Sequence, residues 1–240
     1  MSLRKKTALQ EYENYREKGI IGVKVEEGDE LLAAAITDGS KEIVLATRNG
    51  MSIRFPEDQV RPTGRATMGV KGIDLEEGDE VVGLEVVGSE EERILAVCQR
   101  GYGKRTVVSE FRKQSRGGKG VILIDASDRN GPVVGIASVG PEHEVLLVTN
   151  RGQLIRTKAS EIRETSRNAQ GVRLMNVDED ERVVGIEVFE AQFGEDGGPA
   201  SNPPNGGPPS APPASDPAGA AGETNGVHGT NGASGGDAPN

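Results

Sequence analysis

The chain repeats itself about every fifty residues, and this periodicity limits the available folds more than any other feature. The segments TRNGMSIRF (47–55), CQRGYGKRT (98–106) and TNRGQLIRT (149–157) align without gaps, with Gly50, Gly101 and Gly152 spaced 51 residues apart. A second glycine series, Gly19, Gly69, Gly120 and Gly171, keeps spacings of 50, 51 and 51. The third anchor is a Val-Val-Gly triplet ending at Gly83, Gly135 and Gly185, with Leu31-Leu32-Ala33 in the same slot. Three anchors sharing one period mean one supersecondary unit, repeated about four times.

Within one unit, RILAVCQ leads into YGKRTVV, and GVILI and VVGIASV follow. Short runs rich in valine and isoleucine, bounded by glycine and polar clusters, predict four strands per unit. The first two strands are expected to join at a two-residue turn with glycine second, a tight primed hairpin. PEDQV and VSEFR each have room for a single helical turn. The predicted fold class is all-β: a propeller-like repeat of four-stranded blades over residues 1–190. Its repeats fall at about 3–41, 42–92, 93–143 and 144–190. The first lacks its opening strand, because LRKKTALQEY aligns with GKRTVVSEF, so the chain reads as cut from something longer.

Residues 191–240 are of another kind, rich in glycine and proline with almost nothing apolar, and are expected to form a disordered tail. The tail carries five acids and no lysine or arginine, half of the formal net charge of −10. The first 190 residues hold 28 basic and 33 acidic groups, so distribution decides whether a polyanion can bind. Seven bases face one acid between Gln99 and Lys119, five face two between Arg48 and Lys71, and six face two between Arg151 and Arg173. The acids gather in the turns EEGD (26–29 and 76–79), DASD and DEDE. On repeated blades equivalent positions share a face, so a basic band and an acidic band are expected on different sides. Evenly spaced cations on a rigid curved body suit duplex DNA bent around protein; the competing interpretation is a set of solvated hairpin tips.

Other chemistries find little support. QSRGGKG (114–120) fails as a Walker phosphate loop, because Lys113 stands where the first glycine is required and Gly120 replaces the magnesium-binding serine or threonine. His143 and His228 are 85 residues apart, which leaves no metal cluster. Cys98 sits in an apolar strand pattern with no histidine nearby, so it reads as a buried structural thiol in a reducing compartment. Scarce aromatics argue against base stacking as the main binding mode. No apolar run approaches a membrane span and no signal peptide opens the chain.

LATRNGMSIRFPEDQVRPTGRATMGVKGI, GYGKRTVVSEF and TNRGQLIRTKASEIRETSRNAQGVRL closely resemble the C-terminal domains of bacterial DNA gyrase A subunits, over about residues 3–190. The resemblance implies a β-pinwheel whose blades exchange strands, of which four of the family's six are present. It implies a basic rim that wraps duplex DNA without sequence preference, so that strand passage introduces negative supercoils. QSRGGKG is similar to the family's QRRGGKG box, with Ser115 in place of an arginine and in a later blade. The same slot reads YENYREKG at 12–19, PTGRATMG at 62–69 and TSRNAQG at 165–171. The family's cleavage residues and its ATPase lie in other parts of the enzyme. The chain is therefore expected to have no catalytic residues, no cofactor, no metal and no small-molecule substrate. Its partners would be duplex DNA, the gyrase B protein and another copy of the gyrase A protein, in the bacterial cytoplasm near the nucleoid. The alternatives are a topoisomerase IV C-terminal domain and a protein-interaction propeller that does not bind DNA.

The residues expected to meet DNA are Lys5, Lys6, Arg16, Lys18, Arg54, Arg65, Lys71, Lys104, Arg105, Arg112, Lys113, Arg116, Gly117, Gly118, Lys119, Gly120, Arg156, Lys158, Arg167 and Arg173. The glycines would allow a tight turn and close backbone approach to a phosphate.

Overall fold

Valine-, isoleucine- and leucine-rich runs form strands throughout the described part of the chain. The computed structural model describes residues 3–14 and 17–190; Arg16 and the expected tail, 191–240, lie outside the described residues. The first unit contributes β1 (Leu3–Arg4) and a single 3-10 turn at Leu9–Tyr12. The second holds β2 (Glu42–Thr47), β3 (Met51–Pro56), β4 (Val70–Lys71) and β5 (Val81–Val87). In the third are β6 (Arg93–Cys98), β7 (Tyr102–Val107), β8 (Val121–Ile122) and β9 (Val133–Val139). The fourth comprises β10 (His143–Thr149), β11 (Leu154–Lys158), β12 (Val172–Arg173) and β13 (Val183–Glu190). One-turn 3-10 segments follow β3, β7 and β11 at Glu57–Gln59, Val108–Glu110 and Ala159–Glu161, two of them within PEDQV and VSEFR.

All strand pairs are antiparallel, and the sheets run β5-β2-β3-β8, β9-β6-β7-β12 and β13-β10-β11. The short third strand of a unit therefore crosses to the sheet of the unit before it. Met51 pairs with Ile122 and Tyr102 with Arg173, while β1 takes β4 through Leu3 and Lys71. Two repeats thus build each four-stranded blade, and the repeats interlock. In the first unit, Leu31-Leu32-Ala33 occupies the slot of β5, β9 and β13 without forming a strand, and Leu31 is exposed.

The hairpins differ from the expected two-residue turn. Three residues join the strands at Arg48–Gly50, and the Gly50 N–H donates to Thr47 O at 3.0 Å. Gly101 and Gly152 close the same turn on Cys98 O and Thr149 O, at 3.1 and 3.0 Å. Neighbouring units explain the choice. Gly50 O accepts the Leu123 N–H at 2.8 Å, and Gly101 O accepts the Leu174 N–H at 2.8 Å. A Cβ on Gly50 or Gly101 would collide with the carbonyl oxygen of Ile124 or Met175, at φ +84° and +75°.

Successive inner strands β5, β9 and β13 pack on one another, which leaves β8 and β12 at the outer edges. The core lies between units. Val44, Ala46, Ile94, Ala96, Phe111 and Ile124 fill one interface, and Leu95, Val97, Val145, Leu147 and Ile162 the next. Ile43, Leu45, Ile53 and Phe55 pack on the opposite face of the second unit's sheet. Strands β2 and β6 are sandwiched between neighbours, and so read as continuous apolar runs rather than alternating ones.

Candidate nucleic-acid interface

The outer edge of each sheet is a segment donated by the following repeat: 61–71 beside β1, 112–122 beside β3 and 163–173 beside β7. Each begins just after a buried residue that closes the one-turn 3-10 segment, namely Val60, Phe111 or Ile162. In extended backbone, successive side chains point to opposite sides. Burial of those three therefore turns Arg61, Arg112 and Arg163 outward. All three are exposed and spaced 51 residues apart, and none of their guanidiniums has a hydrogen-bond or ion-pair partner among the described residues. Arg61 and Arg163 were not among the expected contacts, although their spacing with Arg112 after an apolar residue was visible in the sequence.

Several expected contacts lie inside the protein instead. Arg54 is 3% exposed: its guanidinium pairs with Glu42 and with Glu90 at 3.2 Å, and donates to Val108 O and Phe111 O at 2.9 and 3.1 Å. Arg105 is the equivalent residue one unit on, donating to Ile162 O at 2.7 Å and Ser160 O at 3.3 Å. Both join a hairpin strand to the 3-10 turn of the next unit. Lys104 is fully buried and donates to Ser166 O and Arg167 O at 2.6 and 2.5 Å. These cations already have protein oxygens as partners, which removes them from the outer surface as direct phosphate ligands. Lys6 pairs with the buried Glu57 at 2.8 Å, and Lys5 donates to Arg65 O.

QSRGGKG is one of these interlocking segments. Arg116 donates from Nε to Gln59 O at 2.9 Å and from Nη1 to Lys71 O at 3.2 Å. Arg65 and Arg167 repeat the Nη1 contact on Ile21 O and Ile122 O, each at 2.7 Å. Gly117 donates its N–H to Gly72 O at 2.6 Å, and Gly118 O accepts the Asp74 N–H at 2.9 Å. Gly120, at φ +80°, packs against Ser52 O so closely that no Cβ fits. The glycines thus serve close approach between protein backbones, where a phosphate had been expected. Lys119 remains exposed, as does Arg112 in the same segment.

The other expected residues divide by partner. Lys18 and Lys158 are exposed, with no ion pair among the described residues. Lys113 is half exposed and pairs with Glu42 at 2.8 Å, Lys71 pairs with Asp74, and Arg156 pairs with Glu144. Arg173 donates to the Tyr102 hydroxyl at 2.6 Å, and Arg129 stacks on the same ring, 4.4 Å from its centroid. Hydrogen bonds from Arg173 and Arg129 hold this phenol below its ordinary range. The acidic turns meet hairpin tips: Glu80 pairs with Arg48 at 2.8 Å, and Asp180 lies 3.6 Å from Arg151. Among the described residues no three of His, Cys, Asp and Glu stand close enough to hold a metal ion, and no helix is long and apolar enough to cross a membrane.

Burial pushes the Lys104 ammonium from its ordinary 10.5 down to about 8. Between these values the unfolded chain binds more protons, so stability rises with pH through the window. The neutral amine keeps two N–H donors for its two carbonyls. Against a Lys104→Met variant, the wild-type chain should gain on the order of 2 kcal/mol in urea denaturation from pH 8 to pH 10.5. A constant difference across that range would contradict the burial argument.

Known proteins match this architecture. A family model described as DNA gyrase C-terminal domain, beta-propeller, matches residues 5–38, 41–88, 92–139 and 143–190. The DNA gyrase A protein of Pseudomonas aeruginosa is 38% identical over 192 residues, 80% of this chain and 21% of that protein. Its Salmonella typhimurium counterpart is 45% identical over 183 residues, 76% of this chain and 21% of the relative. The chain spans about a fifth of the length of these relatives. The crystal structure of a DNA topoisomerase IV C-terminal domain superposes with a TM-score of 0.75 at 29% identity, covering 79% of this chain and 59% of that one. For a DNA gyrase A C-terminal domain the TM-score is 0.66 at 29% identity, with 72% and 59% covered. The four matched units follow the same period as the glycine anchors and interlocked sheets, and the chain belongs to the family of DNA gyrase C-terminal β-propeller domains.

Proposed function

We propose that this chain binds duplex DNA along its outer edge and bends it without reading base sequence. It would act as the C-terminal part of a gyrase A protein, in an enzyme that introduces negative supercoils. The carrying observation is the row Arg61, Arg112 and Arg163, exposed, equivalent in three successive units and with guanidiniums that lack internal partners among the described residues. Guanidinium groups at a fixed repeat neutralise phosphates along a path and distribute the cost of bending, about 1–6 kcal/mol for a 20–30 bp site. Lys18, Lys119, Lys158 and Arg173 would add charge to the same band.

In this reading residues 1–190 form one DNA-binding unit of four repeats, and 191–240 a separate acidic tail. Strand cleavage and ATP hydrolysis would belong to other parts of the enzyme, assembled from two gyrase A proteins with the gyrase B protein in the bacterial cytoplasm. A topoisomerase IV role is the second reading, supported by the TM-score of 0.75. The gyrase reading rests on sequence relatives at 38% and 45% identity.

A fluorescence titration of a duplex of about a hundred base pairs, repeated over a range of salt, tests the proposal. Binding should weaken with a log–log slope of several units, about 0.9 for each phosphate neutralised. A flat salt dependence, or no binding at low salt, would rule it out.

A further inference from the structure

Tyr102 opens β7 and Arg173 closes β12, and the two residues are register partners at the outer edge of the third unit's sheet. Arg173 Nη2 donates to the phenol oxygen at 2.6 Å. Arg129 hydrogen-bonds the same oxygen, with its guanidinium 4.4 Å from the ring centroid. Two guanidiniums, one from the third unit and one from the fourth, therefore converge on a single oxygen atom. Both arginines are exposed, and their other hydrogen bonds go to neutral amides: Arg129 to Gln170 Oε1 at 2.6 Å, and Arg173 to Asn176 Oδ1 at 3.1 Å. Among the described residues no carboxylate pairs with either of them.

The surrounding contacts hold this arrangement before any ligand arrives. The buried Asn130, next to Arg129, donates from Nδ2 to Asp125 O and Gln170 O, each at 2.7 Å, which ties the turn to the fourth unit's segment. Asp125, in the same turn, accepts the Ser127 N–H at 3.1 Å and Gln170 Nε2 at 2.8 Å, so neutral donors occupy its carboxylate. The phenol oxygen accepts from both arginines, and its own proton has no acceptor among the described residues. Unused N–H donors on two guanidiniums and one O–H donor thus meet at one exposed point, a donor set that suits an anion. The other outer edges lack it: Met51 faces Ile122, and Leu3 faces Lys71, whose ammonium pairs with Asp74.

We propose that Arg129, Tyr102 and Arg173 together clasp one backbone phosphate of duplex DNA. In the free protein the phenol oxygen accepts the bonds that a phosphate oxygen accepts in the complex. The two guanidiniums supply the charge, while Tyr102 spaces them and donates its O–H to the same phosphate. The contact depends on the DNA path proposed above and lies at the far end of the segment 163–173, which begins with Arg163. Unlike the arginine row, it occurs once among the described residues and joins two units, so it fixes where the duplex crosses this blade.

Duplex titrations of the full chain over a range of salt test this, with circular dichroism melts to verify folding. Because the two guanidiniums share one phosphate, combining Arg129→Ala with Arg173→Ala should lower the log–log slope by about 0.9, whereas two separate phosphates would lower it by about 1.8. Tyr102→Phe keeps the ring and both charges, so it should weaken binding about two- to tenfold at an unchanged slope. A second readout needs no arginine variant. The chain has three tyrosines and no tryptophan, so a carbon-13 label at tyrosine Cζ gives few NMR signals, and Tyr102→Phe identifies the one from Tyr102. Adding a short duplex to the wild-type chain should shift that signal and raise the pH at which this phenol ionises, because the phosphate offsets the guanidinium charge. A folded double variant with the wild-type slope, or with a slope lower by about 1.8, overturns the proposal, as does a Tyr102 signal that duplex leaves in place. A wild-type chain that binds no duplex overturns the DNA-binding reading as well. Wild-type binding that the arginine-row substitutions weaken and the double variant does not overturns this contact alone.

Discussion

Replacing Arg61, Arg112 and Arg163 together by alanine is expected to lower the log–log salt slope of duplex binding by about three and the affinity near 0.1 M salt by about two to three orders of magnitude. Each of these guanidiniums faces solvent without an internal partner among the described residues, so its charge is available to a phosphate. Counterion release makes the loss the same on unrelated DNA sequences. A loss confined to one sequence would instead indicate base readout. The triple variant should unfold at the same denaturant concentration as the parent, because exposed substitutions of this kind cost about 0.5 kcal/mol or less. An unchanged salt slope would move the DNA path away from this row.

The opposite pattern is expected for Arg54→Ala. Its guanidinium pairs with Glu42 and Glu90 and donates to the Val108 and Phe111 carbonyls. Removing it leaves Glu42 partly buried without that guanidinium and two carbonyls at the unit interface without this donor, a loss of about 3–5 kcal/mol. Lysine should recover little, since one ammonium cannot span two carboxylates and two carbonyls as a planar guanidinium does. Urea denaturation measures the loss, and the salt slope of whatever remains folded should match the parent. A stable Arg54→Ala chain with a reduced slope would return Arg54 to the DNA surface.

The two predictions divide residues that look alike in the sequence. Arg105 and Arg112 lie in the same basic stretch, at the same fifty-residue period, and only the apolar residue before Arg112 sets them apart in the sequence. One is turned inward because Ile162 O and Ser160 O of the next unit come within reach, and the other outward because Phe111 beside it is buried. Arg61 and Arg163 were legible in principle, since each follows an apolar residue at the repeat spacing. QSRGGKG shows the same limit. Its glycines and arginine suggested a close approach to a DNA phosphate, yet Arg116 and Gly117 bond to Gln59, Lys71 and Gly72 of the preceding repeat.

The sequence by itself determined the repeat, the all-β class and the strands of the three complete units, because glycine spacing and runs of branched apolar residues express local backbone preferences. It also marked the glycine anchors by their spacing, while the backbone contacts that require glycine at Gly50, Gly101 and Gly120 came from the neighbouring units. Only the tertiary structure decided that β8 and β12 belong to the sheets of their predecessors, and which cations are used up inside. Those outcomes depend on which carbonyls and carboxylates of a neighbouring unit come to within about 3 Å, a distance that spacing along the chain does not encode.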